Sequence, residues 1–448
     1  LIAREPIVTD EQPRGSVTDD AIALVDGLEF RPLEPRPYQR EGAKFLEDGE
    51  RRMLGDSAGL GKTIQSAMAA VDHLPALVVT RTFSAQQVWA DFLPRQFPGT
   101  TAANATKGQQ YQRWRALKSN ADWVVVNHEM MRTYQVPTHF QTMIIDESHR
   151  FRRRQAAHSK AAFELSRRIP RVYELTATPV VKEIDDLYFQ LKILDPARFR
   201  SYNKFIEEFC RYYYTGFDLK VSGARNPQQL QRLMDTYMLR RTYSDVGVFL
   251  PAFQEQVIAF DLPDQLRHLY DRIRDQWRME LGDQRITFSN VLAAMQAMRQ
   301  VTACNEKADI VEALLEDVDV PSVTFTWYQE SADMVAKRLK VQPITGNVPP
   351  GQRTAIARST KHAVGTISAL GESVDLSDKR CVIFFEEHYT PGSIQQALTR
   401  VRRFRPGGGY EPVLGYFLVA RDTIDESIYR LVRHRSASVE EIVKDALE

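Results

Sequence analysis

The sequence predicts an α/β protein of two parallel-sheet blocks with helical insertions. Short Val- and Ile-rich runs, ALVVT (76–80), WVVVN (123–127), TMIIDE (142–147) and RVYELT (171–176), alternate with amphipathic stretches such as SAQQVWADFL. Runs of this kind suit strands buried on both faces, and the alternation is that of βαβ units. The pattern pauses and then resumes in SVTFTW, ESADMVAKRL, AVGTI, RCVIFF, SIQQALTRV and VLGYFLV. Two such blocks, separated by helix-like segments, imply two sheet domains facing each other across a cleft.

The blocks fall at residues 33–245 and 246–448, after an N-terminal extension over 1–32. Within the first, residues 181–240 read as a helical insertion, through KEIDDLYFQLKIL, YNKFIEEFCRYYY and PQQLQRLMDTYML. The aromatics at 202, 205, 209 and 212–214 follow helical spacing there, so core packing is expected of all of them over base stacking. A second helical stretch, 263–317, follows LPAFQEQVIAFDLP. The final helix, TIDESIYRLVRHRSASVEEIV, is expected to pack on the second block. No short repeat, low-complexity tract or heptad array interrupts the pattern, and no zinc module or basic tail is evident.

A chain of 448 residues can hold about two or three cores. Its 43% hydrophobic and 26% charged residues are those of an ordinary globular protein. There is no apolar run near the ~18 residues of a membrane span, and LIAREPIVTDEQPRGSV lacks the pattern of a secretory signal. Cys210, Cys304 and Cys381 are isolated, which argues against a zinc site or disulfide framework and suits a reducing, cytoplasmic location. With a net charge of +1, a nucleic-acid partner has to be held by local patches. HRFRRR (149–154), RVRRFR (400–405) and LRR (239–241) are the candidates, each weighed against a merely solvated face.

DSAGLGKTIQ (56–65) carries the first chemistry. Gly59 and Gly61 allow a tight turn in which several N–H groups converge on an anion, and the helix beginning near Lys62 aims its dipole there. Lys62 is placed to reach β/γ-phosphates and Thr63 to offer a hydroxyl to Mg²⁺. Asp56 stands where the general phosphate-loop pattern has Gly. In IIDESH (144–149), Asp146 at the end of an apolar strand can hold the same Mg²⁺, and Glu147 can accept a proton from attacking water. ELTATPV (174–180) reads either as an ordinary strand-to-turn exit before Pro179 or as a hinge of small residues between nucleotide and polymer sites. QQALTRVRRFRPGGG (395–409) sets Arg400 and Arg403 three apart on one helix face, as candidates to stabilise a departing γ-phosphate from the opposite block.

Taken in order, the phosphate loop, DESH, TATP and Q-A-x-x-R-x-x-R resemble superfamily 2 helicases, and within it the Swi2/Snf2 type. RPYQREGAKFL (36–46) resembles the adenine-reading Q segment, which implies Gln39 as an adenine contact. DSAGLGKTIQ resembles D-E-x-G-L-G-K-T-x-Q, which accounts for Asp56. MLRRTYSDVGVFLP and HYTPGSIQQALTRVRR resemble the family's passage into its second lobe and its final motif, adding Gln396 to the catalytic candidates. SALGESVDL departs from A-G-G-x-G-x-N-L at Leu370 and Ser373, Tyr389 replaces a Trp, and RFRP replaces R-I-G-Q. These departures resemble a compact, divergent branch near the annealing and branch-migration helicases.

The resemblance implies two RecA-like lobes with an ATP cleft between them, ATP and Mg²⁺ as cofactors, and an ATP-dependent translocase or helicase on duplex, forked or junction DNA. It implies DNA contacts at Arg152, Arg153, Arg154 and Tyr389, a monomer, and partners among recombination or replication proteins. An ATP-gated DNA clamp with little hydrolysis, or an RNA-stimulated helicase, remain the alternatives.

Overall fold

The computed structural model describes residues 32–81, 85–181, 183–216, 219–248, 251–282, 296–371, 374–387, 391–402 and 412–430. Among the described residues, fifteen strands lie in three sheets. The first sheet has the order β3-β4-β2-β5-β6-β1-β9. Its strands are β1 (Arg51–Leu54), β2 (Ala76–Thr80), β3 (Ala102–Asn104), β4 (Trp123–Asn127), β5 (Thr142–Asp146), β6 (Arg171–Leu175) and β9 (Met238–Leu239). All its pairings are parallel. The four strands read from the sequence occupy its centre.

Their composition follows from being covered twice. Alternate residues of each strand point to opposite faces. Leu77, Val79, Val124, Val126, Met143 and Ile145 enter one core, which the helices of the insertion complete. Ala76, Val78, Val125 and Ile144 enter the other, with Trp89 and the small residues Ala67, Ala69 and Ala70 of the helix Lys62–Ala70. A run of Val and Ile serves both faces, so no polar alternation is seen.

The second sheet has the order β10-β15-β14-β11-β13-β12 and is also wholly parallel. Its strands are β10 (Phe253–Phe260), β11 (Ser322–Thr326), β12 (Pro343–Ile344), β13 (His362–Thr366), β14 (Cys381–Phe384) and β15 (Val413–Ala420). Helices Asn305–Val318 and Gln329–Leu339 cover one face, through Ala308, Val311, Ala332 and Val335. The helix Pro391–Val401 covers the other, through Ile394, Ala397 and Leu398. Of the final helix, residues 424–430 are described, and Ile428 joins this second core as expected. Residues 431–448 lie outside the described residues.

The insertion after β6 differs from the helical reading. Helices Asp186–Leu194, Tyr202–Phe209 and Pro227–Tyr237 form, but between them β7 (Cys210–Tyr214) and β8 (Leu219–Ala224) make an antiparallel hairpin. Phe205 and Phe209 are buried, whereas Tyr212, Tyr213 and Tyr214 are exposed, the last at 74%. Core packing therefore fails for these three tyrosines. Consecutive aromatic residues favour a pleated strand, where side chains alternate between faces, over another turn of helix.

Arg51 fixes the insertion to the sheet. Its guanidinium donates to the carbonyls of Ser166 and Ile169 (each 3.0 Å) and of Ile193 and Leu194 (each 2.7 Å). These are the carbonyls at or just beyond two helix ends, which need donors from outside the helix.

Candidate nucleotide and nucleic-acid site

Register places the motifs on one rim. Leu54 of β1 and Asp146 of β5 both pair with Leu175 of β6. The segments leaving these three strands, DSAGLGKT, ESH and TATP, therefore emerge side by side at the carboxyl edge of the sheet. This is where ligands of open α/β sheets bind.

In the phosphate loop, Gly59 and Gly61 have φ of +82° and +77°, the left-handed region that glycine enters without penalty. A Cβ on Gly61 would also overlap the Gln39 side-chain amide. Lys62 opens the helix Lys62–Ala70, and its Nζ donates to the carbonyls of Asp56 (2.8 Å) and Ser57 (3.3 Å). Thr63 follows it, buried. Gln39 accepts from Arg36 N (2.9 Å) and donates to Leu60 O (3.2 Å), which ties the first helix to the loop. An amide of this kind has a second N–H and a second lone pair for an adenine edge.

Asp146 is held by groups that the sequence reading did not single out. Its Oδ2 accepts from Thr80 Oγ1 (2.7 Å) and Trp89 Nε1 (3.3 Å). Its backbone carbonyl lies 3.0 Å from His128 Nε2. Burial lowers His128 to about 3, so the ring stays neutral and holds the strand end without adding charge. Thr80 was legible as a strand-end hydroxyl on the ligand-facing edge. Trp89 and His128 gave no signal.

Glu147 has φ of +53°, uncommon for a residue with a Cβ. Its Oε2 lies 3.2 Å from His149 Nδ1, which is also 3.1 Å from Thr176 Oγ1 of TATP. Burial opposes ionisation of Glu147, but the His149 hydrogen bond and charge, with Lys62 and Arg81, prevail and lower it to about 2. The carboxylate is therefore an acceptor throughout the neutral range. Ser148 donates to Gln190 Oε1 (3.1 Å), and Gln190 in turn donates to Pro179 O (2.8 Å). DESH and TATP are thus joined twice, once through His149 and once through the insertion.

The basic stretches separate on inspection. Arg152 pairs with Asp186 at 3.4 Å and donates to His149 O at 3.1 Å. The Arg154 guanidinium lies 4.3 Å over the Tyr202 ring, and Arg153 is exposed. Arg241 of LRR is buried, which removes it from any surface patch. In the second block, Gln396 and Arg400 lie on the helix Pro391–Val401. Arg400 Nε donates to Gly371 O at 3.1 Å, and Arg402 Nε to Pro251 O at 3.1 Å. Tyr389 and Arg403 lie outside the described residues.

The donor set suits magnesium. Thr63 could supply a hydroxyl and Asp146 a carboxylate, which fits an ion that favours few protein oxygens and completes its shell with phosphate and water. Among the described residues no cluster of three or more His, Cys, Asp or Glu forms another metal site. Nor is any described helix long and apolar enough to cross a membrane.

A glycine-turned phosphate loop beside a strand-end Asp-Glu pair, on the first of two parallel sheets, is the arrangement of a nucleotide-binding α/β protein. The chain belongs to the SNF2-related family: the SNF2-related domain matches residues 38–308, and the helicase conserved C-terminal domain matches 306–405. It is 24% identical over 442 residues to the mouse (Mus musculus) DNA annealing helicase and endonuclease ZRANB3, covering 91% of this chain and 41% of that protein. It is 25% identical over 428 residues to a Caenorhabditis elegans homologue of SWI/SNF-related matrix-associated actin-dependent regulator of chromatin subfamily A-like protein 1, covering 89% and 60%. The chain thus spans about two fifths of the first relative and three fifths of the second. The Sulfolobus solfataricus SWI2/SNF2 ATPase core in complex with dsDNA aligns at a TM-score of 0.44 and 19% identity, over 93% of this chain and 96% of that one.

Proposed function

We propose that the chain is an ATP-hydrolysing motor that moves along duplex or branched DNA and remodels junctions; a relative is named a DNA annealing helicase. Residues 33–245 and 246–448 form its two lobes. The observation that carries this reading is the shared rim, where Lys62 and Thr63 follow β1 and Asp146 and Glu147 lie at the end of β5, the two strands that flank β6.

Lys62 exchanges its loop carbonyls for β/γ-phosphate oxygens, and the turned N–H groups cradle the same anion. Thr63 and Asp146 would hold Mg²⁺, which when bound would neutralise charge on the phosphates. Glu147 orients the attacking water and takes its proton as the new P–O bond forms and the bond to the leaving diphosphate breaks. Gln39 reads adenine. Gln396, Arg400 and Arg403 act from the second lobe on the charge of the departing phosphoryl group, so turnover requires both lobes. Arg153, Arg154 and Tyr389 contact DNA, while Arg152 serves mainly to hold Asp186.

The decisive experiment is steady-state ATPase with and without DNA, on wild type and Glu147→Gln. The variant should bind ATP and DNA normally but lose about 10²–10⁴-fold in turnover, the range of a general base. Near-normal DNA-stimulated turnover would remove Glu147 from the mechanism. Absence of turnover in wild type, with ATP-dependent DNA retention, would favour the clamp, and stimulation by RNA alone would favour the RNA-stimulated helicase.

A further inference from the structure

Asp56 and Arg241 are 185 residues apart and form a buried pair beneath the phosphate loop. Arg241 Nη2 donates to Asp56 Oδ2 at 2.6 Å, while its Nε and its backbone N donate to Oδ1 at 3.1 and 3.0 Å. Both oxygens of the carboxylate are thus held in a two-pronged, charge-assisted arrangement that a lysine cannot reproduce. Nη2 also donates to Gln65 Oε1 (2.8 Å), and Gln65 Nε2 donates to Asp56 Oδ2 (3.2 Å) and Leu60 O (3.1 Å). Nη1 donates to Tyr38 O at 2.6 Å. A Cβ on Gly42 would overlap Gln65 Oε1 and Arg241 Nη2, so this glycine lets the first helix close over the network.

The backbone repeats the connection. Gly55 N donates to Leu239 O (2.8 Å) and Ser57 N to Arg241 O (2.9 Å). Tyr243 Oη donates to Ala58 O. Residues 239–243 therefore run alongside residues 55–58, continuing the pairing of β9 with β1 past the end of the sheet. They begin the segment that leads from β9 to β10, the first strand of the second sheet. Asp56 itself joins the two functions: its side chain holds Arg241 and its carbonyl receives Lys62 Nζ.

We propose that Arg241 is a positioning residue that locks the exit segment 239–243 to the phosphate loop, so that nucleotide on the loop and the path to the second lobe are coupled. This rests on the ATP reading of the same loop. Ser57 and Ala58 are fixed from outside the loop by Arg241 and Tyr243, and loosening either contact loosens the phosphate cradle. In return, phosphate drawing Lys62 away from the Asp56 and Ser57 carbonyls alters the loop on which the exit segment is built.

Arg241→Lys and the milder Tyr243→Phe test this, with wild type as the reference. Nucleotide affinity is read with a fluorescent ADP analogue, KM and kcat by steady-state ATPase, and folding by thermal melting. Amide hydrogen exchange at 55–58 and 239–243 is read with and without ADP. Arg241→Lys is expected to raise KM for ATP and weaken ADP binding by about tenfold or more, the size of one charge-assisted hydrogen bond, with a smaller change in kcat. Tyr243→Phe should shift both constants in the same direction, by less, at unchanged melting temperature. ADP should slow exchange at 239–243 in wild type and do so less in both variants. A lowered melting temperature with KM within twofold of wild type, or ADP protection confined to 55–58, would overturn the proposal. Failure of wild type to bind ADP at all would instead overturn the ATP reading.

Discussion

Glu174 sits at the centre of the first sheet, its Cα paired with Met53 of β1 and Ile145 of β5, and it is fully buried. Burial pushes its carboxyl well above the ordinary range, against the pull of the Arg51 guanidinium. The folded protein therefore binds a proton that the unfolded chain releases above its ordinary value of 4.5. From there up to the raised folded value, stability falls as pH rises, by about 1.4 kcal/mol per unit for one group. Glu174→Gln keeps the shape and removes that proton. Melting curves from pH 5 to 8 should show the variant gaining on wild type as pH rises, and parallel profiles would mean that Glu174 is ionised in the fold. Residues of this kind show how far the sequence could be read. Lys62, Asp146 and Glu147 stand next to diagnostic neighbours and were legible. The raised carboxyl of Glu174, and the partnership of Asp56 with Arg241, depend on contacts between distant segments that no local pattern records.

Among the elements, the insertion after β6 divides where its spacing suggested unity. Tyr202, Phe205 and Phe209 recur at helical intervals because they belong to one helix whose face packs on the core. The following CRYYY makes up β7, where the pleat sends successive side chains to opposite faces. Tyr212 and Tyr214 share one face, with ring centroids 6.0 Å apart. The central strands were legible because cover on both faces demands unbroken Val and Ile. The hairpin was not, because it has little core to face and three aromatics fit either period. Melting should separate the two sets of rings. Phe205→Ala or Phe209→Ala should cost about 3–5 kcal/mol, as for other buried aromatics. Alanine at Tyr213 and Tyr214 should stay within about 0.5 kcal/mol of wild type. A large loss from the tyrosine pair would mean that the hairpin is packed in solution against something further.

Across the whole molecule, the proposed division of labour bears on what kind of work ATP supports. If the phosphate-binding and acidic residues act from one lobe and the arginines from the other, as proposed, each turnover would be tied to movement of one lobe relative to the other. A motor that takes such steps along a duplex arm exerts force on DNA without needing to part its strands. At a four-way junction or a regressing fork, every base pair broken ahead is replaced by one formed behind. The net stacking change is then near zero, whereas opening a linear duplex costs about 1.4 kcal/mol per base-pair step with nothing returned. Strand separation of linear duplex also requires holding the products apart, for which exposed aromatic rings are one means. The hairpin tyrosines, with Tyr111 and Trp114, are the exposed aromatic rings among the described residues, and Tyr214 is the most exposed of them at 74%. We therefore expect ATP-driven branch migration on synthetic junctions to outpace unwinding of linear duplex of matched length and sequence. Alanine at Tyr212, Tyr213 and Tyr214 should leave branch migration within about twofold, because re-pairing captures the strands whether or not rings stack on them. Faster unwinding of the linear substrate by wild type would sink this expectation. Loss of that unwinding in the triple variant would then assign strand separation to the hairpin.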